Sequence, residues 1–337
     1  MTIETVEQLY QSQAVALSLR EILRPAAGEV IFPPTYAPAS KGEKSGYNIS
    51  PTRTGNVCTI DSVGSQANRM EPIFMEEGYR HLVPQVTVKA GERLGANLLR
   101  MGHRLADAAI RFSDLHDRIN EAFLAYRERG NATGIARIGP TSLVFGVWDS
   151  RETHTKVPRL INATIRAYDV DELTRSAQYV PTFEYQDVGF GEGDKENAAE
   201  VGLGHVPSTN THGGVIVRGA IVRQAELNLN ALRALRGADP AETETLQRYI
   251  LGLALVAMLA PRVHDLRQGC LLVADPAQPA TLQAVMLDGT AGEVQFYFDA
   301  AKAFADHAAR TFGVGASREG VFDGTKAKEA AKAAKKK

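Results

Sequence analysis

The passage from Val57 to Pro72 constrains the fold most, because an apolar strand end passes there directly into a polar helix start. Asp61 and Ser62 are preferred N-cap residues, and Pro72 interrupts the helix about three turns later. At the helical spacing of roughly 100° per residue, an apolar stripe lies beside a polar one. The apolar stripe contains Val63, Ala67 and Met70, and the polar stripe contains Ser62, Ser65, Gln66 and Arg69. We predict that the apolar stripe packs on a sheet while the polar stripe stays free for phosphates and riboses, an ordinary solvated helix face being the alternative.

Long passages without periodicity separate the other predicted elements. Residues 28–55 are rich in proline, glycine and serine, which predicts a long surface loop or hairpin, and residues 186–214 predict a flexible loop. The predicted helices are 94–110, 114–129, 224–236, 240–261 and 298–312, and the predicted strands include 83–88, 142–148, 164–170, 213–223, 270–274 and 282–287. Connections of such length fit a mixed α+β domain better than a doubly wound parallel sheet.

Composition and charge narrow the class of protein. An apolar fraction of 44% and a charged fraction of 23% are ordinary for a globular chain. The longest apolar run, from Ile250 to Ala260, is typical of a core helix and too short to span a bilayer. Cys58 and Cys270 lie in apolar surroundings, and the N-terminus does not resemble a signal peptide, so we expect reduced thiols and a cytoplasmic protein without membrane partners.

The C-terminal tail, residues 326–337, carries most of the local positive charge. It holds six lysines and one glutamate, which leaves 32 basic and 38 acidic residues in the rest of the chain. A net charge of −6 on that body does not preclude nucleic-acid binding if basic groups gather on one face. We expect the tail to be disordered, with a solvated helix, a nucleic-acid arm and an incidental extension as alternatives.

Enzyme motifs are weak in this sequence. His264 and Asp265 form the adjacent pair that metal phosphohydrolases use, but His81, His103 and His116 offer no convincing further ligands. The GxxxxGK[ST], GxGxxG and GxSxG patterns are missing. We therefore expect neither a catalytic activity nor a bound cofactor or metal.

Arginine, lysine and amide side chains recur instead at the ends of predicted elements. Guanidinium groups grip phosphates in bidentate fashion, and amides reach riboses or bases. We predict RNA-binding residues in this set, which comprises Ser65, Gln66, Asn68, Arg69, Arg151, Lys156, Arg159, Arg166, Arg175, Arg218 and Arg223. Such a set holds a polyanion without cutting it.

Several blocks of sequence carry a family resemblance. They are the run from Asp61 to Glu71, the run from Phe145 to Arg151 with Pro158-Arg159-Leu160 and residues 165–170, residues 173–179, and the run from Gly213 through Arg218-Gly219 to Asn228-Leu229. Together they make residues 55–236 resemble the backbone subunit of a type I CRISPR effector complex, of the subtype called I-U or I-G. Matching blocks in the same order are more specific than any one of them.

The resemblance implies an RRM-like, ferredoxin-like core of the RAMP type with large insertions that form palm, fingers and thumb. On this basis residues 1–325 make one elaborated domain, residues 28–55 and 186–214 supply finger and thumb loops, and residues 326–337 remain a basic tail. Ser65, Gln66, Asn68 and Arg69 would line the palm groove for the RNA backbone.

The resemblance also implies the partners. Several copies would polymerise along the spacer of one CRISPR RNA, contact one another through a thumb loop and present the guide for pairing with a target DNA strand. A large subunit and an RNA-processing subunit would join them, and a separate helicase-nuclease would cut the target. Two alternatives stay open: an RNA-processing endoribonuclease with His154 or His205 as general base, and a metal-dependent phosphohydrolase that uses His264 and Asp265.

Overall fold

A computed structural model describes residues 2–38, 46–92 and 94–334 of the chain. Its strands are β1 Thr2–Ile3, β2 Ala16–Pro25, β3 Val30–Ile31, β4 Thr35–Tyr36, β5 Gly46–Tyr47, β6 Ile49–Thr52, β7 Gly55–Asp61, β8 Val86–Ala90, β9 Leu94–Asn97, β10 Val147–Trp148, β11 Lys156–Val157, β12 Ile161–Tyr168, β13 Val170–Tyr179, β14 Val206–Val217, β15 Ile221–Asn228, β16 His264–Arg267, β17 Cys270–Ala274, β18 Thr281–Val285, β19 Ala291–Val294 and β20 Arg318–Val321. Its α-helices are α1 Val6–Gln11, α2 Val63–Met70, α3 Ala108–Arg111, α4 His116–Arg129, α5 Thr133–Ile138, α6 Thr141–Phe145, α7 Lys195–Glu200, α8 Leu229–Arg233, α9 Pro240–Leu259, α10 Phe298–Phe312 and α11 Gly324–Ala334.

The central sheet has ten strands, in the order β1-β19-β18-β2-β15-β12-β7-β6, with β17 paired to the far end of β2 and β16 paired to β17. Within it, β18 lies beside β2, and β15 lies between β2 and β12, with all these neighbours antiparallel. This is the strand order of a ferredoxin-like fold, extended here by β7 and β6 at one edge. The predicted α+β class with an RRM-like core is confirmed.

The central sheet buries one face and leaves much of the other exposed. Along β12, Ile161, Ala163, Ile165 and Ala167 are buried, whereas the residues between them are exposed or half-buried. The buried α9 and the amphipathic α10 lie in the main core with this face. A smaller core, which includes Ile165, lies near the base of the β13–β14 hairpin.

The β13–β14 hairpin corrects the prediction of a flexible loop over residues 186–214. β14 begins at Val206 and pairs with β13 over nearly its whole length, and α7 lies in the connection between the two strands. Most of the hairpin is exposed. Residues 28–55 contain the short strands β3 to β6, in agreement with the predicted hairpin, although residues 39–45 lie outside the described part of the chain.

Other predictions divide between elements with strong local signals and elements without them. Helices 114–129, 240–261 and 298–312 and strand 270–274 are confirmed within a few residues as α4, α9, α10 and β17. The predicted helix 94–110 is wrong, since it contains β9 and short 3₁₀ turns before α3, and the predicted strand 142–148 is mostly the helix α6. The predicted strand 213–223 is two strands, and the helix predicted after it begins with β15. The lysine-rich tail is helical as far as Ala334, in agreement with the alternative of a solvated helix.

Candidate nucleic-acid interface

The helix α2 begins as predicted, but its polar stripe is not free. Ser62 is the N-cap, and its hydroxyl accepts a hydrogen bond from the backbone N–H of Ser65. Gln66, however, is buried together with Ala67 and Met70. The predicted exposed stripe is therefore wrong at Gln66.

A polar network beneath the sheet accounts for the burial of Gln66 and of Arg223. Gln66 Nε2 donates to Asp61 Oδ2 at 2.7 Å, and Arg223 Nε donates to Gln66 Oε1 at 3.2 Å. Arg223 also donates to Glu21 and to the carbonyl of Met258. Burial lowers the pKa of Arg223, while the Glu21 carboxylate favours its charged form. Both predicted RNA-binding residues thus use their polar atoms inside the chain, where they join β7, α2, β15 and β2.

Arg69 lies at the edge of the same network. Its guanidinium donates to Asp61 Oδ2 at 3.2 Å, to the carbonyl of Asp265 at 3.2 Å and to that of Leu266 at 2.8 Å. One third of its side chain remains exposed. Ser65 is half-buried and Asn68 is exposed, so Asn68 presents its side chain to solvent.

Beside the start of α2 lies an open groove of about 690 Å³, lined by Trp148, Lys156 and Arg159 among others. Trp148 and Lys156 face each other across the β10–β11 pair, with Lys156 Nζ 4.7 Å from the centre of the indole ring. More than half of Trp148 is exposed, at 57%. Arg159 Nη1 donates to the carbonyl of Val63 at 3.4 Å, which places the groove next to the first turn of α2.

The wall of this groove contains a buried ion pair. Arg104 Nε donates to Glu71 Oε2 at 2.8 Å, Arg104 Nη1 donates to the carbonyl of Gly146, and the guanidinium lies over the ring of Phe145. Burial raises the pKa of Glu71 to about 6, against the opposing effect of Arg104. Burial lowers the pKa of Arg159, and the nearby charge of Arg104 lowers it further. With Lys156 at the rim, the groove holds three cationic side chains against one buried carboxylate.

Gly146 permits the close packing of this groove. Its φ of +79° is unfavourable for other residues, and a Cβ there would lie 2.8 Å from Arg159 Cγ. Gly146 therefore lets the β10 segment approach Arg159.

The predicted site residues fall into separate places. Arg151 is exposed in the turn between β10 and β11 and follows Ser150, which lines the groove. Arg166 is exposed on the open face of the sheet, opposite Thr59 and Val222. Arg175 is exposed on β13, and Arg218 is bonded to Asp171 at the base of the hairpin. The structure thus brings together Lys156 and Arg159 in one groove, with Arg151 next in sequence to a lining residue, but not the whole predicted set.

Sequence reasoning missed two residues of the groove. Trp148 is the single tryptophan of the chain and lies close in sequence to Arg151 and Lys156, so the alternation of aromatic and basic residues was an available signal. Arg104 gave no such signal, because its position depends on a tertiary contact with Glu71.

The histidines of the alternative hypotheses do not line the groove. His264 is buried with its Nε2 3.6 Å from Glu21 Oε2, whereas its neighbour Asp265 is exposed. His154 is exposed in the β10–β11 turn, and His205 is bonded to Glu184 beside the β13–β14 hairpin. Among the described residues, no group of three or more His, Cys, Asp and Glu side chains could hold a metal ion.

The fold and groove define a mixed α+β protein with an RRM-like core and a surface groove that combines an aromatic ring with cations. Residues 17–172 match the model of a family described as CRISPR-associated protein GSU0053. The matched segment runs from β2 to the start of β13 and includes both α2 and the groove. No curated protein matches the chain. Over these residues the chain is similar to CRISPR-associated proteins, in agreement with that part of the resemblance.

The described residues also contain no helix with the length and apolar character that crossing a bilayer requires.

Proposed function

We propose that this chain is a non-catalytic backbone subunit of a type I CRISPR effector complex, of subtype I-U or I-G, which binds CRISPR RNA along the groove beside α2. The observation that carries the proposal is the exposed Trp148 ring with Lys156 at 4.7 Å and Arg159 behind it in one groove. The family match over residues 17–172 supports the CRISPR context.

The chemistry of the groove suits a single strand held without regard to its sequence. Every base has a face that stacks on an indole ring, at about 1–3 kcal/mol per base, and cations hold phosphates of any sequence. Trp148 and Lys156 lie at the rim, where a strand has access, and Arg159 supplies a second cation nearer α2. Asn68 and Ser65 lie on that helix and extend the polar surface beyond its first turn.

In this role the subunit has macromolecular partners only. Further copies of the chain bind successive stretches of the same RNA, and the guide pairs with one strand of target DNA. A large subunit and an RNA-processing subunit complete the complex in the cytoplasm, and a separate helicase-nuclease cuts the target. The proposal requires no metal or cofactor on this chain.

Variants of Trp148 test the groove directly. Trp148→Ala should weaken binding of single-stranded RNA about 5- to 150-fold, the equivalent of one lost stacked base, whereas Trp148→Phe should retain most of the affinity. The measurement is a fluorescence-anisotropy titration with two RNAs of unrelated sequence, both of which should respond alike. Tyr297→Ala is a matched control, because Tyr297 is an exposed aromatic residue outside the groove. Unchanged affinity in Trp148→Ala would contradict the proposed site.

The absence of catalysis needs its own experiment. RNA incubated with the purified chain, with and without divalent metal ions, should be recovered at full length. His154→Ala and His205→Ala should give the same result. Shortened RNA that returns to full length in either variant would instead identify a processing endoribonuclease.

A further inference from the structure

The C-terminal helix α11 takes no part in the site described so far. It runs from Gly324 to Ala334, and none of its residues is buried. Lys326, Lys328 and Lys332 are exposed on it, and three more lysines follow in the sequence. Glu329 is its one acidic residue, whereas the rest of the chain has a net charge of −6. The helix therefore presents a concentrated positive charge on a negative body.

Local interactions start this helix, but one pair of its lysines opposes it. Asp323 Oδ1 accepts hydrogen bonds from the N–H groups of Thr325 at 2.9 Å and Lys326 at 3.1 Å. Lys328 and Lys332 lie one turn apart on the same face, where like charges destabilise an exposed helix. A helix of this length without a packed face is marginal in water. A polyanion on the lysine face would remove the repulsion and stabilise the helix.

The start of α11 is bonded to the segment of residues 104–113, which begins in the groove wall. Asp323 N–H donates to the carbonyl of Phe112, and Phe322 forms a bridge with Ser113. The same segment begins at Arg104 in the groove and passes through Arg111, whose guanidinium lies over the Phe112 ring at 4.6 Å. The lysines thus follow a stretch of chain that is bonded to Phe112 and Ser113, a few residues after Arg104 of the groove wall.

We propose that α11 binds phosphates of the same RNA strand that the groove holds, in a sequence-independent manner. The inference rests on the proposed function, because it requires RNA in the groove. Counterions released from the contacted phosphates would supply the affinity, so the contribution should appear in the salt dependence of binding.

The test compares charge variants of the full-length chain. Lys328→Gln/Lys332→Gln should lower the magnitude of the slope of log K against log salt by about 1.4, since each single-strand phosphate contact contributes about 0.7. Lys328→Arg/Lys332→Arg should retain the wild-type slope, and Glu329→Gln should strengthen binding at low salt. Two RNAs of unrelated sequence should respond equally. The far-UV helix signal should rise when RNA is added to the wild type and less so in the glutamine variant.

The outcomes separate this inference from the proposed function. An unchanged slope in the glutamine variant, with binding still lost in Trp148→Ala, overturns the role of α11 and leaves the groove intact. A wild-type chain that binds no RNA overturns both. A glutamine variant with unchanged RNA binding but altered self-association, measured by light scattering, would assign α11 to a protein contact with an acidic surface such as that around Glu196 and Glu200 of a second copy.

Discussion

Arg69 joins α2 to β16 through two hydrogen bonds to backbone carbonyls and to β7 through a third, which the Asp61 carboxylate, 1% exposed, accepts. Arg69→Ala should therefore destabilise the fold by about 1–3 kcal/mol, because Asp61 loses a charged donor in a buried setting. Gln66 would remain bonded to Asp61, with Arg267 at 4.0 Å, so the chain should still fold. Urea denaturation measures the loss as a lower midpoint.

Asn68→Ala is the matched control, because Asn68 is exposed on the same helix. It should change the free energy of unfolding by no more than about 0.5 kcal/mol. If Arg69→Ala keeps wild-type stability while RNA affinity falls, Arg69 binds RNA at the surface, as the resemblance implies. Its hydrogen bonds within the chain would then contribute little to stability.

His116 links the start of α4 to the turn between β10 and β11. Its Nε2 lies 2.5 Å from Glu152 and its Nδ1 lies 2.8 Å from Asp117. Burial lowers the pKa of His116, but the hydrogen bonds to the two carboxylates outweigh it and raise the pKa above its ordinary 6.5. The resulting stabilisation is fully present below pH 6.5 and is lost as pH rises through the higher folded-state pKa.

Free energies of unfolding measured at several pH values test whether the stabilisation by His116 is lost as the pH rises. The difference between the wild type and His116→Gln should be largest near pH 6 and should shrink by about pH 8.5. His307→Gln, which changes an exposed histidine on α10, is the control for the substitution itself. A difference that grows with pH would contradict the assignment of the charged form.

The helices α9 and α10 pack so closely that a glycine is required between them. A Cβ on Gly252 would lie 2.8 Å from the Cα of Ala305, which is backbone and cannot move aside alone. Gly252→Ala should therefore destabilise the protein by about 1–3 kcal/mol, although alanine favours a helix over glycine. Gly64→Ala on α2, where a Cβ meets open space, should instead be neutral or stabilising by up to about 1 kcal/mol. Thermal unfolding of both variants measures the difference. Equal shifts of the unfolding midpoint in the two variants would contradict the prediction.

Local signals explain which elements were predictable. Asp239 caps α9 and accepts from Glu242 N–H with Pro240 in the first turn, and Gly313 ends α10 in the left-handed region, so both helices follow from adjacent residues. Residues 142–148 form an uninterrupted apolar run, which does not distinguish a buried helix from a strand. Residues 225–232 carry a helical spacing of apolar side chains, yet sheet pairing with β2 and β12 determines β15.

The candidate site was predictable only in part for the same reason. Charge and proximity in sequence indicated Arg151, Lys156 and Arg159 as candidate RNA-binding residues. The helical spacing of α2 predicted its apolar and polar stripes. The polar stripe is covered at Gln66, which accepts a hydrogen bond from Arg223, and Arg69 donates to two carbonyls of β16. Arg223 and β16 are both far from α2 in the sequence. A sequence pattern does not show which distant strand packs on a helix face.

The charges of the molecule are distributed unevenly over its length. Residues 180–205, which join β13 to β14, hold six acidic residues and one lysine, whereas the groove and α11 are basic. Exposed apolar side chains accompany the acidic ones, with Phe183 at 61% and Val201 at 67% exposure. Phosphates are repelled from such a surface, so the end of the hairpin suits a protein neighbour better than RNA.

The proposed function makes a prediction about the assembly of the whole molecule. Stacking and phosphate contacts do not read bases, so every stretch of a single strand offers an equivalent site, and the number of bound copies should follow the length of the RNA. Light scattering on complexes with two RNAs that differ twofold in length should give about twice as many copies on the longer one. Double-stranded DNA of the same lengths is the control and should bind fewer copies, because its bases are not free to stack on Trp148. One copy per RNA at both lengths would contradict a backbone role while leaving RNA binding by the groove intact.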